Sequence, residues 1–415
     1  MTHLGLNSAA AAAEKGFDVV VFDPDAATIS RLRNGAIPVV EPGLEDCLGR
    51  NRKRISFADA AMALAACSVV YVAPDVPTDD MGGADLAGVR QLLGIVRANT
   101  RVDAAVVILS QVPPGFTRAH APAGQTVYYQ VETLIFGQAL ERALSPERFI
   151  VGCLDPDLPL GKNYDTFLRA FECPILPMRY ESAELAKIAI NCFLAASIST
   201  ANTLAEICEG IGADWSEIVP ALRLDKRIGP HAYLKPGLGI AGGNLERDLR
   251  AVVDMARSVA SDSGVVRAWI ANSRHRRDWA LKKLHENLLA ANPAATVAVL
   301  GLAYKKNTDS IKNSAALDLI RNLAPYRRRV HDPVVGADAI TNAGATYVAS
   351  PMEAIRGASG LVIMTPWPEY GRLMPAEIAD AMDGIVVVDP YAVLDGAGCR
   401  RHGLAYHTLG AAAST

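Results

Sequence analysis

FDVVVFD, residues 17–23, sets three valines in a row between two phenylalanines and closes on an aspartate. A run of that length and β-branched content suits a strand buried on both faces, as in a parallel sheet. Three similar runs follow: SVVYVAP (68–74), AAVVILS (104–110) and TVYYQV (126–131). Helical segments at 26–34 and 85–98 separate them, and AAAAA at 9–13 reads as a tightly packed helix. Strands alternating with helices imply a doubly wound α/β sheet. The closing Asp23 stands where a dinucleotide-binding sheet places the carboxylate that accepts hydrogen bonds from the adenosine ribose. An acid there favours NAD over NADP, because it repels a 2′-phosphate. Such a sheet also needs an upstream strand and then G-x-G-x-x-G. The sequence opens on MTHLG, so Gly5, 18 residues before Asp23, is the one candidate for the third glycine. Either Met1 lies downstream of the natural start or the domain is truncated, and the first reading is preferred.

From Glu181 the pattern changes. ESAELAKIAINCFLAASISTANTLAEICEGIG (181–212) has no proline, and its first glycine is Gly210. Its apolar residues recur at helical spacing. Further helical runs cover 247–260 and roughly 265–290. At ATVAVLGLAYKKNTDS (295–310) the strand–helix alternation resumes, and RRRVHDP, GLVIMTP and GIVVVDP carry it onward. The expected architecture is α/β: two Rossmann-like doubly wound domains, 1–180 and 291–415, joined by a helical segment at 181–290.

The 415 residues, half of them hydrophobic, suffice for two or three cores. A net charge of -3 without a long basic run argues against nucleic acid or an anionic membrane as main partner. The longest apolar runs are strand-length, and the N-terminus lacks the pattern of a secretory signal. Seven scattered cysteines form no CxxC pair or metal-ligand cluster, which fits reduced thiols in a cytoplasmic protein without a metal requirement.

Several segments together resemble the UDP-glucose/GDP-mannose dehydrogenase family: NGAIPVVEPGLED (34–46), SQVPPGF (110–116), ESAELAKIAINCFLA (181–195), DKRIGP (225–230), PGLGIAGGNLERD (236–248) and GLAYKKNTDSIKNS (301–314), in the family's order. The resemblance implies NAD as cofactor, a nucleotide-sugar substrate and a homodimer built on the central helices. It also implies a reaction that oxidises a sugar alcohol twice, through a cysteine thiohemiacetal and thioester. By the same resemblance Gly5, Asp23, Pro74 and Ser110 fall to the cofactor, and Arg227, Gly239, Lys305 and Tyr391 to the substrate. Glu132 falls at a catalytic glutamate, although its QVETL context also allows a plain surface charge. Lys187 and Asn191 match a lysine and an asparagine one helical turn apart, suited to stabilising one developing alkoxide. Asp248 matches an acid that activates water or the lysine.

Three positions depart from the family. Asn244 stands at the nucleophilic cysteine, and a carboxamide cannot form a thiohemiacetal. It also suits a helix N-cap. Gln111 replaces a threonine near the water and base. Tyr391 replaces a substrate-binding arginine, which weakens the case for a diphosphate and admits an unphosphorylated nucleoside. One hydride transfer then remains. The expectation placed first is a redox-neutral dehydratase or epimerase with recycled NADH, as in nucleoside natural-product biosynthesis. There Lys187 or Glu132 is the base at carbon, with Asn191 and Asn244 polarising the oxygen. The alternatives are a two-electron dehydrogenase that releases aldehyde or ketone, and an inactive binding relative.

Overall fold

A computed structural model describes residues 1–77, 84–121, 124–240, 244–341 and 343–412, with Asn244 described by its backbone alone. Two compact units emerge, Met1–Ile190 and Asn191–Thr415, so the dividing point falls within the long helix Tyr180–Ile211. The helices between it and the second sheet, Trp215–Leu224, Asn244–Ser258, Gly264–Arg277 and Trp279–Leu284, belong to the second unit.

The first unit opens with helix His3–Glu14, capped by Thr2, whose hydroxyl accepts from the Gly5 amide at 3.0 Å. Its strands are β1 (Val19–Phe22), β2 (Ile55–Ala58), β3 (Val69–Val72), β4 (Ala105–Ile108), β5 (Val127–Gln130), β6 (Phe149–Cys153) and β7 (Ile175–Arg179). FDVVVFD does form a strand, but β1 pairs only with β2, and β3 begins a separate sheet in the order β3-β4-β5-β6-β7. Between β1 and β3 lies a cavity of about 850 Å³ lined by Ala9, Val20, Phe22, Val70 and Val72. Gly5 sits in the first helical turn.

One pairing departs from the all-parallel expectation: β5 and β6 run antiparallel, Tyr129 opposite Gly152. Apolar runs specify a buried strand but not its direction, which the intervening connection sets. The core of this unit divides into three clusters, around Leu6–Val21–Ile29, Val70–Val106–Ile150 and Val107–Tyr164–Leu168.

The second unit carries β8 (Thr296–Leu300), β9 (Arg327–His331), β10 (Thr346–Tyr347), β11 (Gly360–Ile363), β12 (Val386–Val388) and β13 (Ala405–His407). They form one parallel sheet in the order β10-β9-β8-β11-β12-β13. The order reverses between β8 and β11, where open α/β sheets hold ligands beyond the strands' carboxyl ends. Gly301 ends β8 with φ of +96°, and a Cβ there would sit 2.5 Å from the Thr365 Cβ. Only glycine fits so close an approach. A single cluster from Val297 to Tyr406 fills this sheet's surroundings.

The long helix is long and apolar enough to cross a membrane by length and composition, a feature the short apolar runs did not disclose. The core helix of a soluble protein meets the same test.

Candidate active site

In the first unit the assigned residues gather at the carboxyl ends of the strands. Asp23, next after β1, takes the Met1 amine on one oxygen and the Asp25 amide, at 2.9 Å, on the other. After β3, the Ala73 carbonyl accepts from the Thr2 hydroxyl at 2.7 Å and the Pro74 carbonyl from the Ser110 hydroxyl at 2.5 Å. The strand ends, the capped helix start and Gly5 are thereby tied together around the mouth of the cavity. A carboxylate for a ribose beside a twelve-residue helix with its amino end at the mouth is a set of donors and acceptors that fits a dinucleotide.

Glu132 follows β5 and accepts from the Leu134 amide. Burial pushes its carboxyl above the ordinary range, and the Lys187 ammonium works in the opposite direction. A raised carboxyl beside an amine suits proton transfer, and the surface-charge reading does not describe this half-buried group. A small cavity of about 60 Å³, lined by Glu132, Gln130 and Tyr71, adjoins it. Gln130 there accepts from Tyr71 and Tyr164, each at 2.8 Å. Gln111 continues the chain from Ser110 and has a partner of its own.

Glu184 was not legible as a site residue. It is fully buried, and its two oxygens accept from the Gly115 amide at 2.6 Å and the Thr117 amide at 2.8 Å. It pins the loop carrying Ser110 and Gln111. The available signal was an acid three residues before Lys187 in an apolar helix.

In the second unit Asn191 and Asp248 meet: the amide donates to the carboxylate at 2.5 Å, with the two residues 6% and 1% exposed. The other Asp248 oxygen accepts from Arg247 Nε at 3.1 Å. One donor of the Asn191 amide is therefore spent on Asp248, so one N–H is left for the oxygen that Asn191 is expected to polarise together with Asn244. Asn244 is the first residue of helix Asn244–Ser258, so its backbone lies inside the helix; its side chain lies outside the described residues. Glu246, two residues on, accepts from Arg250 at 2.8 Å and from Asn313 at 3.3 Å.

The PGLGI loop is held by close packing. Gly239 has φ of +76°, and a Cβ on it would lie 2.3 Å from the Ser273 carbonyl oxygen. The Ser273 hydroxyl accepts from the Ile240 amide at 2.7 Å. Tyr391 hydrogen-bonds the Leu238 backbone, and burial pushes its phenol up to about 12. It thus braces this loop as a neutral group. Lys305 lies over the Tyr304 ring at 5.6 Å, on the loop after β8. Arg227 is not gathered with these residues: its side chain is 88% exposed and pairs with Asp225 at 2.6 Å.

All seven cysteines are free thiols. Cys192, beside Asn191, is pushed up by burial and then by the Asp248 charge, the reverse of an activated nucleophile. Among the described residues no group of three or more His, Cys, Asp or Glu side chains could hold a metal ion.

Comparison with known proteins places these units. Residues 1–159 match the NAD binding domain of the UDP-glucose/GDP-mannose dehydrogenase family, 181–274 its central domain and 298–396 its UDP binding domain. The UDP-glucose 6-dehydrogenase TuaD of Bacillus subtilis is 30% identical over 98% of this chain and 91% of its own length. The UDP-glucose 6-dehydrogenase of Pseudomonas aeruginosa is 32% identical over 93% of this chain and 91% of its own. A solved UDP-glucose dehydrogenase from Pyrobaculum islandicum is 33% identical with a TM-score of 0.83, covering 94% of this chain and 93% of that one.

Proposed function

The chain belongs to the UDP-glucose/GDP-mannose dehydrogenase family and uses NAD, and from that premise we propose that it performs a two-electron oxidation of a nucleotide-sugar alcohol and releases the aldehyde or ketone. The observation that carries this reading is the asparagine at position 244, together with a Cys192 thiol that, among the described residues, is not activated. Asn244 stands in the family's nucleophile position, while Cys192, the thiol electrostatically linked to Asp248, has its proton held on by burial and by that charge. Without a thiolate the aldehyde has no covalent tether, and the second oxidation has no thiohemiacetal to start from. NAD, when bound, supplies the two-electron acceptor. Asp23 would accept hydrogen bonds from its ribose, and the helix start capped by Thr2, with Gly5 in its first turn, would hold its phosphates.

In this reading Lys187 and Asn191, one turn apart on the long helix, serve the reacting hydroxyl. Glu132 takes its proton, and the Lys187 ammonium stabilises the developing alkoxide charge. Asn191 polarises the oxygen with its second N–H, held in place by Asp248. Lys305 faces the nucleotide's phosphates as a point charge, and Tyr391 presents an aromatic surface in place of a guanidinium. Gly239 lets the PGLGI loop close on the sugar, and Gln111 orders the water near the base.

The redox-neutral dehydratase placed first by the sequence has no support from the relatives, which are named as dehydrogenases. Nucleoside natural-product biosynthesis likewise finds none. We also read the protein as a cytoplasmic homodimer: Phe193, Leu204, Ile207 and Ile211 share one face of the long helix, 78%, 41%, 48% and 72% exposed. Arg227, exposed in one copy, would then reach the partner's substrate.

Product mass and NADH yield, followed together with NAD and a panel of UDP- and GDP-sugars, test the reaction. One NADH per product lighter by two hydrogens is expected. A carboxylate product with two NADH would overturn the two-electron limit. A dehydrated or inverted product without net NADH would restore the redox-neutral route.

A further inference from the structure

The first unit contains a chain of contacts that the hydride-transfer reading leaves unused. His3, the first residue of helix His3–Glu14, places Nε2 2.8 Å from Glu41 Oε2. Their side chains are 13% and 1% exposed. The same Glu41 carboxylate accepts from the Gly137 amide at 3.0 Å and the Ala139 amide at 2.7 Å. The Phe136 ring lies 4.4 Å from the imidazole, centroid to centroid. One buried carboxylate therefore ties the first turn of the N-terminal helix to the segment 132–139, which begins with Glu132. His3 also lies within electrostatic reach of Glu132 and Asp75.

A buried carboxylate with three donors is a stiff joint, because removing one donor leaves a buried acceptor short of a hydrogen bond. The joint's other end is a helix start, where backbone N–H groups collect anions. We propose that His3 and Glu41 are positioning residues that couple occupancy of the dinucleotide site to the setting of the Glu132 segment. The proposal rests on the NAD reading above. An anion at the helix start orders His3, His3 orders Glu41, and Glu41 fixes the amides of Gly137 and Ala139. Glu132 is thereby set for proton transfer only when the cofactor site is filled.

Hydrogen exchange in segment 132–139, with and without ADP-ribose, tests this in the full chain alongside calorimetric binding of ADP-ribose. ADP-ribose is expected to slow exchange of that segment in the wild type, and His3→Leu to remove about tenfold of that protection, the factor a charge-assisted hydrogen bond supplies. ADP-ribose affinity is expected to change by no more than about threefold, since the helix start itself is intact. His3→Gln keeps a side-chain N–H toward Glu41 and restores the protection, which a loss of folding in His3→Leu could not mimic. In turnover, His3→Leu lowers kcat and leaves KM for NAD near its original value. Equal protection in wild type and His3→Leu would overturn the coupling alone. Failure of ADP-ribose to bind the wild type would overturn the cofactor reading and the coupling with it.

Discussion

The two α/β units solve the same packing problem with different completeness. The C-terminal sheet runs unbroken through six strands around one core cluster. The N-terminal unit has seven strands in two sheets, three separate clusters, and a cavity of about 850 Å³ where its sheets face each other. Strand count therefore says little about cohesion. A sheet transmits packing only while each strand is flanked, and where pairing stops between two sheets the core behind them divides as well. The N-terminal unit is expected to open first, with slower amide exchange at β8 than at β1. Equal protection at those two strands would break the comparison.

The largest effect is expected where the intact sheet is tightest. Gly301→Val brings a branched side chain against Thr365 at a backbone angle that valine avoids, and is expected to cost about 4 kcal/mol or more. Its chemical denaturation should lose the high-stability transition, while a shift confined to the first transition would contradict the assignment. Glu184→Ala strips the Gly115 and Thr117 amides of their acceptor, costing about 2 kcal/mol. That loss should appear in the N-terminal transition, with faster exchange at 115–117. Tyr391→Phe keeps the ring and removes the bond to Leu238, for about 1 kcal/mol in the C-terminal transition.

The smallest change has the opposite sign. Burial raises the Glu132 carboxyl, so its stabilising contribution is complete below the ordinary glutamate pKa of about 4.3 and is lost as pH rises through the raised value. Glu132→Gln should flatten that slope and raise the N-terminal transition near neutral pH by about 2 °C or less, while abolishing turnover. A stability loss at neutral pH would show that Glu132 supports the fold rather than strains it.

Much of this was readable from residues alone. The strand runs and the long helix follow from hydrophobic period. Motif singled out Asn191 and Asp248 separately and gave no sign that the two would bond each other. The reversal of β6 was illegible, because an apolar run looks the same in either direction. The His3–Glu41 contact joins residues 38 apart with no periodic relation, and only the folded first unit brings them together. Exposure misled in the other direction at Arg227, which motif assigned to substrate and the single chain leaves beside Asp225.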